Sequence, residues 1–344
     1  MPSEVLVLGS TGNFGRRIVE GLKHHGVSVI AAGGRKDFDV HRELGPRLDA
    51  LRPRVVVNTC GPFQTSGYDI AQACIARRIH YIDLADGRAF VTGITALDAA
   101  AKAAGVSVIS GASTVPGLSS AVIEHFRHEF DAIDAIDFGI SPGQKTPRGL
   151  ATVTAIMTYV GRKFHGVYGW QNVHRRAYPT LGKRWMANCD IPDLDLLPAR
   201  YGIKNVRFFA GSELGILHLS TWAMSWLVRL GLPLNLPRHA ALLLRMSNWF
   251  DVFGSADGGM HVILRGGGRE RRWFLIARNG DGPQVPCVPA IVLARKLMNG
   301  EKLPSGAYPC VGLLSLEEYL GELSRFDIEV ISDLRSPRPS TSSG

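Results

Sequence analysis

A chain of 344 residues is long enough for two domains, and 45% hydrophobic with 20% charged residues is the composition of an ordinary soluble globular protein. Five cysteines (Cys60, Cys74, Cys189, Cys287, Cys310) form an odd set without a C-x-x-C pair, which argues against a disulfide framework or a zinc site and for a reducing cytoplasm. The net charge of +9 predicts a solvated basic surface, or attraction to a phosphorylated cofactor or an anionic membrane; nucleic-acid binding lacks any accompanying motif.

The first 115 residues alternate apolar runs with helical stretches. Strands are predicted at Val5–Leu8, Val27–Ala32, Val55–Thr59, His80–Leu84 and Val106–Ser110, and helices at Phe14–His25, Val40–Leu51, Tyr68–Arg77 and Ala89–Ala104. A strand from residue 5 leaves no room for a signal peptide before it. The runs are unbroken and β-branched, as in "VVVNT", the pattern of strands buried on both faces. Residues 1–128 therefore predict an α/β domain with a doubly wound, Rossmann-type parallel sheet. "STVPGLSS" (113–120) starts a further helix, capped by Ser113 or Thr114 with Pro116 in its first turn.

Residues 129–282 change character. "AIDAIDFGIS" alternates like a strand with one solvated face, and residues 259–265 and 272–278 flank "GGGRER" as a hairpin. These features predict a second, α+β domain with a mixed or antiparallel sheet. Segment 283–312 contains an amphipathic helix (287–301) that returns to the first domain, and 334–344 reads as a disordered tail. The apolar stretch 214–253 is interrupted by Arg229, Pro233, Pro237 and Arg245, so it holds no span of about 20 apolar residues. It reads as a core or homodimer-interface helix pair, or as a surface that dips into a membrane or binds an apolar substrate.

"VLVLGSTGNFGRRIVEGL" (5–22) places Gly9, Ser10, Thr11, Gly12, Asn13, Phe14 and Gly15 between a buried strand and an opening helix. In that context Gly9 permits the tight turn, Gly12 admits a pyrophosphate and Gly15 allows close helix packing, so the loop predicts dinucleotide binding. The end of the second strand, "AAGGRKDFDV", lacks the acid expected for NAD and offers Arg35 and Lys36, with Asp39 close by. A guanidinium suits a 2′-phosphate, which favours NADP(H). In "NTCGPFQTSG", Cys60, Gly61, Pro62 and Phe63 follow the third strand, where backbone is expected to approach the nicotinamide ribose. Cys60 has no visible His partner and reads as structural.

These segments, with "NTCGPFQTSGYDIAQACIARRIHYIDLADG" and "VISGASTVPGLSSAVIEHF", resemble the dinucleotide-binding domain of saccharopine dehydrogenase-like oxidoreductases over about residues 4–128. "FDVFGSADGGMHVILRG" and "ARNGDGPQVPCVPAIVLARKLMNG" resemble the later part of its shorter bacterial members. The resemblance implies hydride transfer to or from a C=N or C=C bond. The amino-acid substrate is not carried over, because residues 130–280 show no matching set of cations for its carboxylates.

Hydride transfer of this kind needs a proton source. Asp83, at a strand end in "HYIDLADG", is the candidate acid, with Tyr81 beside it; His174 and Tyr178 are candidates to line the cleft. Tyr159 and Lys163 form a Y-x-x-x-K pair like that of short-chain dehydrogenases, a rival reading. The combined expectation is an NADP(H)-dependent oxidoreductase acting on a small, apolar molecule, against a non-catalytic NADP(H) sensor or interaction protein.

Overall fold

The computed structural model describes residues 4–33 and 44–335. The first part of the chain runs β1 (Glu4–Leu8), α1 (Asn13–His24), β2 (Ser28–Ala32), α2 (Leu44–Leu51), β3 (Val55–Asn58), α3 (Asp69–Ala76), β4 (His80–Asp83), α4 (Arg88–Gly93), α5 (Asp98–Ala104), β5 (Ser107–Ser110) and α6 (Ser119–Phe126). It continues with β6 (Ala135–Ser141), α7 (Leu150–Tyr159), β7 (Lys163–Phe164), β8 (Val167–Tyr168), β9 (His174–Tyr178), β10 (Gly182–Asn188), α8 (Asp193–Tyr201), β11 (Asn205–Ser212), α9 (Gly215–Arg229) and α10 (Ala240–Asn248). The last elements are β12 (Gly258–Gly266), β13 (Arg269–Ala277), α11 (Val288–Met298), β14 (Gly306–Pro309), α12 (Leu316–Leu323) and β15 (Ile328–Arg335).

One sheet has the order β14-β5-β4-β3-β1-β2 and is parallel throughout. Its inner strands β1, β3, β4 and β5 are buried on both faces because helices cover both, while the edge strand β2 is partly exposed. In β1, Val5 and Val7 enter the core beneath α1 and α11, while Leu6 and Leu8 enter the opposite core beneath α2, α3 and α5. This two-residue alternation between two apolar cores explains the unbroken hydrophobic strands.

The other sheet is mixed, in the order β15-β13-β12-β6-β11-β10-β9; β6 and β11 pair in parallel and the remaining pairs are antiparallel. The hairpin β12–β13 closes through Gly267-Gly268, with Gly266 opposite Arg269. An α/β domain with a parallel sheet plus a second domain with a mixed sheet is thus the architecture of the chain.

Several boundaries differ from those read in the sequence. The predicted helix 89–104 is two, α4 and α5, joined by a tighter 3-10 turn over Ile94–Leu97. The helix expected from Ser113 starts at Ser119, after a wide turn over Thr114–Leu118 in which Val115 is extended. Leu334 and Arg335, assigned to a tail, pair with Arg271 and Glu270 as the end of β15.

The two sheets do not own separate cores. Apolar residues from Val5, Ile18 and Leu22 through Leu118 and Val122 to Phe138, Val262 and Trp273 form one continuous cluster. Helix α11 fills its middle: a Cβ on Gly21 of α1 would stand 2.5 Å from Cδ1 of Ile291. After α11 the chain adds β14 to the first sheet beside β5, then β15 to the second beside β13.

Two carboxyls are sealed inside this structure, Asp83 and Asp193, both 0% exposed. Asp193 on α8 accepts from the Ser119 hydroxyl of α6 through Oδ1, and its Oδ2 has no partner among the described residues. Burial pushes Asp83 up to about 6 and Asp193 up to about 7, from an ordinary value of 3.8. The fold therefore binds protons that the unfolded chain has released. Their stabilising contribution is complete below the unfolded value and is lost as pH rises through the folded values. Asp193→Asn is expected to remove the part of this decline that ends near pH 7, leaving stability at pH 4 unchanged. At pH 8 the variant should exceed the native protein by on the order of 2–4 kcal/mol. Denaturant midpoints measured across pH 4–8 check this; parallel profiles for the two proteins would contradict it.

Candidate functional site

In an open parallel sheet, ligands bind beyond the carboxyl ends of the strands where the winding reverses. Here that point lies between β1 and β3, since α1 covers one face of the sheet and α2 and α3 the other. The turn after β1 is bonded internally: the amides of Gly9 and Ser10 donate to the carbonyl of Ala32 at 2.9 and 3.1 Å, and Gly12 donates to Gly9 at 2.9 Å. Thr59 fastens the neighbouring strand end, with its hydroxyl donating to the carbonyls of Leu8 at 2.8 Å and Gly9 at 3.2 Å.

The glycines are needed where these segments meet. Gly9 has φ +78°, and a Cβ there would lie 2.5 Å from Oγ1 of Thr59. A Cβ on Gly15 would lie 2.2 Å from the carbonyl oxygen of Gly9. A Cβ on Gly33 would lie 2.5 Å from Cγ2 of Thr11. Gly12 differs, with φ −72°, and a Cβ there would meet only the Gly9 carbonyl at 3.1 Å.

Helix α1 starts at this turn without a side-chain cap on Gly12, and its first bond runs from the Arg16 amide to the Gly12 carbonyl. The amides of Asn13, Phe14 and Gly15 consequently point out of the helix start with their partial positive charge. A closely approachable glycine turn beneath outward amides fits the pyrophosphate of a dinucleotide. Ser10 contributes no free amide. Asn13 ties the loop to the second domain, its side-chain amide donating to the carbonyl of Pro147 at 3.2 Å. Arg35, Lys36 and Asp39 lie outside the described residues.

Beyond β3, the Cys60 amide donates to Oδ1 of Asn58 at 3.0 Å, and the Gly61 amide donates to the carbonyl of Thr59 at 3.2 Å. Burial pushes the Cys60 thiol up to about 11, so it stays protonated at neutral pH and is a poor nucleophile. The Phe63 ring is buried against Phe90, with ring centroids 5.3 Å apart, and borders Gly61, where a Cβ would lie 3.5 Å from its Cδ2. Opposite Gly61 stands Ala151 of α7, whose Cβ would be 3.6 Å from a Cβ on Gly61. The start of α7 thus packs directly over the carboxyl end of β3.

Asp83 stands at the end of β4 but is sealed. Its Oδ1 accepts from the Ser110 hydroxyl and the Gly111 amide at 2.9 Å each, and from the Ala85 amide at 3.0 Å. This carboxyl ties the ends of β4 and β5 together. Tyr81 is also buried, with its hydroxyl accepting from the Asn58 amide at 3.0 Å. The carboxyl that reaches the loop surface is Asp86, three residues later in the same "DLAD" stretch. It is partly exposed, is held by the Gln64 amide at 3.0 Å and is raised above the usual carboxylate range by burial. Sequence reasoning passed over it, although its place at a strand end was the available signal.

The other candidates lie elsewhere. His174 and Tyr178 belong to the edge strand β9, and the Tyr178 hydroxyl meets Nδ1 of the buried His261 at 2.7 Å. Tyr159 and Lys163 do not form a helical pair. Tyr159 ends α7, Gly161 turns the chain with φ +71°, and Lys163 is exposed in β7. The Tyr159 hydroxyl instead contacts the sulfur of Cys189 at 2.8 Å, and burial holds it well above the ordinary tyrosine range. This geometry removes the short-chain dehydrogenase reading.

No protein-family model matches the chain, and no curated protein matches it. The solved amine dehydrogenase from Mycobacterium smegmatis is similar over 89% of this chain and 94% of its own, at 12% identity and a TM-score of 0.49. An engineered D-amino acid dehydrogenase aligns over 91% of this chain and 94% of its own, at 13% identity and a TM-score of 0.48. The WlbA (WbpB) dehydrogenase from Thermus thermophilus, solved with NAD and alpha-ketoglutarate, aligns over 94% and 93%, at 10% identity and a TM-score of 0.41. All three carry dehydrogenase names, and none is named a saccharopine dehydrogenase. Similarities this distant do not assign a reaction.

Gly15 and Gly12 separate the structural role of the loop from its ligand role. Gly15→Ala pushes a methyl into backbone and should cost about 1–3 kcal/mol. Gly12→Ala should cost no more than about 1 kcal/mol, because its backbone accepts an L-residue. Urea midpoints at unchanged slope measure both. Equal costs would contradict the packing at Gly15.

Proposed function

We propose that the chain is an NADP(H)-dependent oxidoreductase of the saccharopine dehydrogenase-like type, transferring hydride to or from a C=N or C=C bond of a small, apolar substrate. The observation that carries this reading is the turn at Gly9–Gly15, where glycine is required by contacts of 2.2–2.5 Å and the amides of α1 face outward. The bound nicotinamide supplies or accepts the hydride. The outward amides of Asn13, Phe14 and Gly15 would hold the pyrophosphate, with the Gly12 backbone leaving room for it. Arg35 and Lys36 would hold the 2′-phosphate, and Gly61 and Pro62 would face the nicotinamide ribose. The start of α7 at Ala151 covers the crevice and excludes water from it.

Asp86 is the group assigned to the proton. Its raised pKa keeps a larger share of the carboxyl protonated near neutral pH, ready for the atom left anionic by hydride addition. Asp83 acts through position, holding the β4 and β5 ends against which the Asp86 loop is set. Asp86→Asn is expected to leave cofactor affinity unchanged and to lower turnover about 100-fold, in the range of lost general acid catalysis. It should also abolish the fall in rate that the native enzyme shows at high pH. Retention of that limb in the variant would assign the proton to another group.

Cofactor choice is tested by titrating the protein with NADPH and NADH, following cofactor fluorescence. Charge-assisted bonds to the 2′-phosphate are worth about 1.5–3 kcal/mol, so NADPH should bind about 10- to 150-fold more tightly than NADH. Arg35→Ala should erase most of that margin, and Gly12→Ala should weaken both cofactors. Equal native affinities would make NAD(H) an equal partner. Absence of binding to either would overturn the oxidoreductase reading, and binding without turnover on imines or enones would identify a sensor.

A further inference from the structure

Helix α9 is set inside out. Its fully buried side chains are polar: His218 and Ser225 are both 0% exposed. His218 lies against the rings of Trp170 and Trp185, with centroids 5.2 and 6.2 Å away, and the side-chain amide of Gln171 donates to Ser225 Oγ at 2.6 Å. These contacts fix the rotation of the helix, and the rotation turns Ile216, Leu219, Trp222 and Leu227 outward. The chain then continues through Leu230, 71% exposed, to α10 and the turn after it, where Trp249 is 66%, Val252 75% and Phe253 73% exposed. Twelve of the fifteen large apolar side chains exposed among the described residues lie between Ile216 and Phe253, so the exposure is one surface and not the usual scatter.

The same segment has a one-sided charge. From Leu214 to Phe250 the sequence contains no aspartate or glutamate, while Arg229, Arg238 and Arg245 are all exposed. The Arg229 guanidinium lies over the rings of Tyr168 and Trp226, 4.2 and 4.6 Å from their centroids, which sets a fixed cation beside the aromatic patch. Among the described residues, no helix is long and apolar enough to cross a membrane.

We propose that the α9–α10 face docks on the surface of an anionic lipid bilayer. Exposed tryptophan, phenylalanine and leucine side chains enter the headgroup boundary, and the three arginines meet lipid phosphates. A second copy of this chain is the weaker occupant. A twofold contact through this face would bring guanidinium groups together, and its one carboxylate, Asp251, is already paired with Arg148. The net charge of +9 on the whole chain adds to attraction toward an anionic surface. Docking rests on this surface alone and does not depend on the oxidoreductase reading.

The test is co-sedimentation of the full chain with vesicles of phosphatidylcholine alone or mixed with phosphatidylglycerol, at about 0.05 and 0.5 M salt. Binding is expected to the mixed vesicles and to weaken at high salt. The pair Arg238→Gln and Arg245→Gln should reduce affinity about fivefold per arginine. The pair Trp249→Ser and Phe253→Ser should reduce it more than about tenfold by removing two large apolar contacts. Both pairs change exposed side chains, and circular dichroism verifies that the fold is kept. Failure to sediment with mixed vesicles at low salt would overturn the proposal, as would equal sedimentation with phosphatidylcholine alone. Light scattering supplies the remaining arm: a native dimer that becomes monomeric in the Trp249→Ser, Phe253→Ser variant would assign the face to a second copy and overturn bilayer docking.

Discussion

The carbonyl of Gly9 is the fixed point of the turn that joins β1, α1 and β3. It accepts from the Gly12 amide and the Thr59 hydroxyl, and Gly15 passes so close that no Cβ fits between them. Those contacts set the distance from β1 to α1, the distance from β1 to β3 and the direction of the outward amides at the helix start. A larger residue at Gly15 would change all of these together, because backbone on each side of the contact leaves little room to relax. The crevice is therefore a consequence of how one turn packs, and any ligand it holds meets a surface organised before binding.

The second domain is held over that crevice by polar contacts as well as by the shared core. Arg88 at the start of α4 reaches Asp190 at 2.6 Å and Asp195 of α8 at 3.1 Å, and His165 meets Asp195 at 2.6 Å. Near the mouth, Arg148 bonds Asn248 and Asp251, while Gln144 bonds Asp251 and the carbonyl of Ser247. The loop preceding α7 is thus attached to the end of α10, and α7 in turn stands over Gly61. Half-buried charged pairs of this kind contribute modestly to stability, and their larger effect is to select one relative placement of the parts.

What the sequence made legible follows from which interactions are local. The five strands β1 to β5 were readable within one residue because each carries a short apolar, mostly β-branched run between turn signals. The glycine loop was readable because its backbone demands are met by few residue types. Strand β14 was not, since "GAYP" joins the sheet through backbone pairing with β5 and advertises nothing in its side chains. Asp83 drew attention from Asp86 because both sit at a strand end, and only the surrounding donors distinguish a sealed carboxyl from an accessible one.

Helix α9 shows the limit of periodicity most directly. A hydrophobic stripe says that a helix has an apolar side, but it does not say whether that side meets the protein or something else. The answer here comes from the opposite side, where His218 and Ser225 find partners in Trp170, Trp185 and Gln171 that lie far away in sequence. Burial drives His218 down to about 4, so its ring is neutral at physiological pH and can sit among indoles without an unpaired charge. Turning the helix over would place Leu219 and Trp222 in the core, but would take the His218 ring from between Trp170 and Trp185 and Ser225 from Gln171. The exposed apolar face is thus set by fitted contacts on the opposite side of the helix, and not by the hydrophobicity of the face itself.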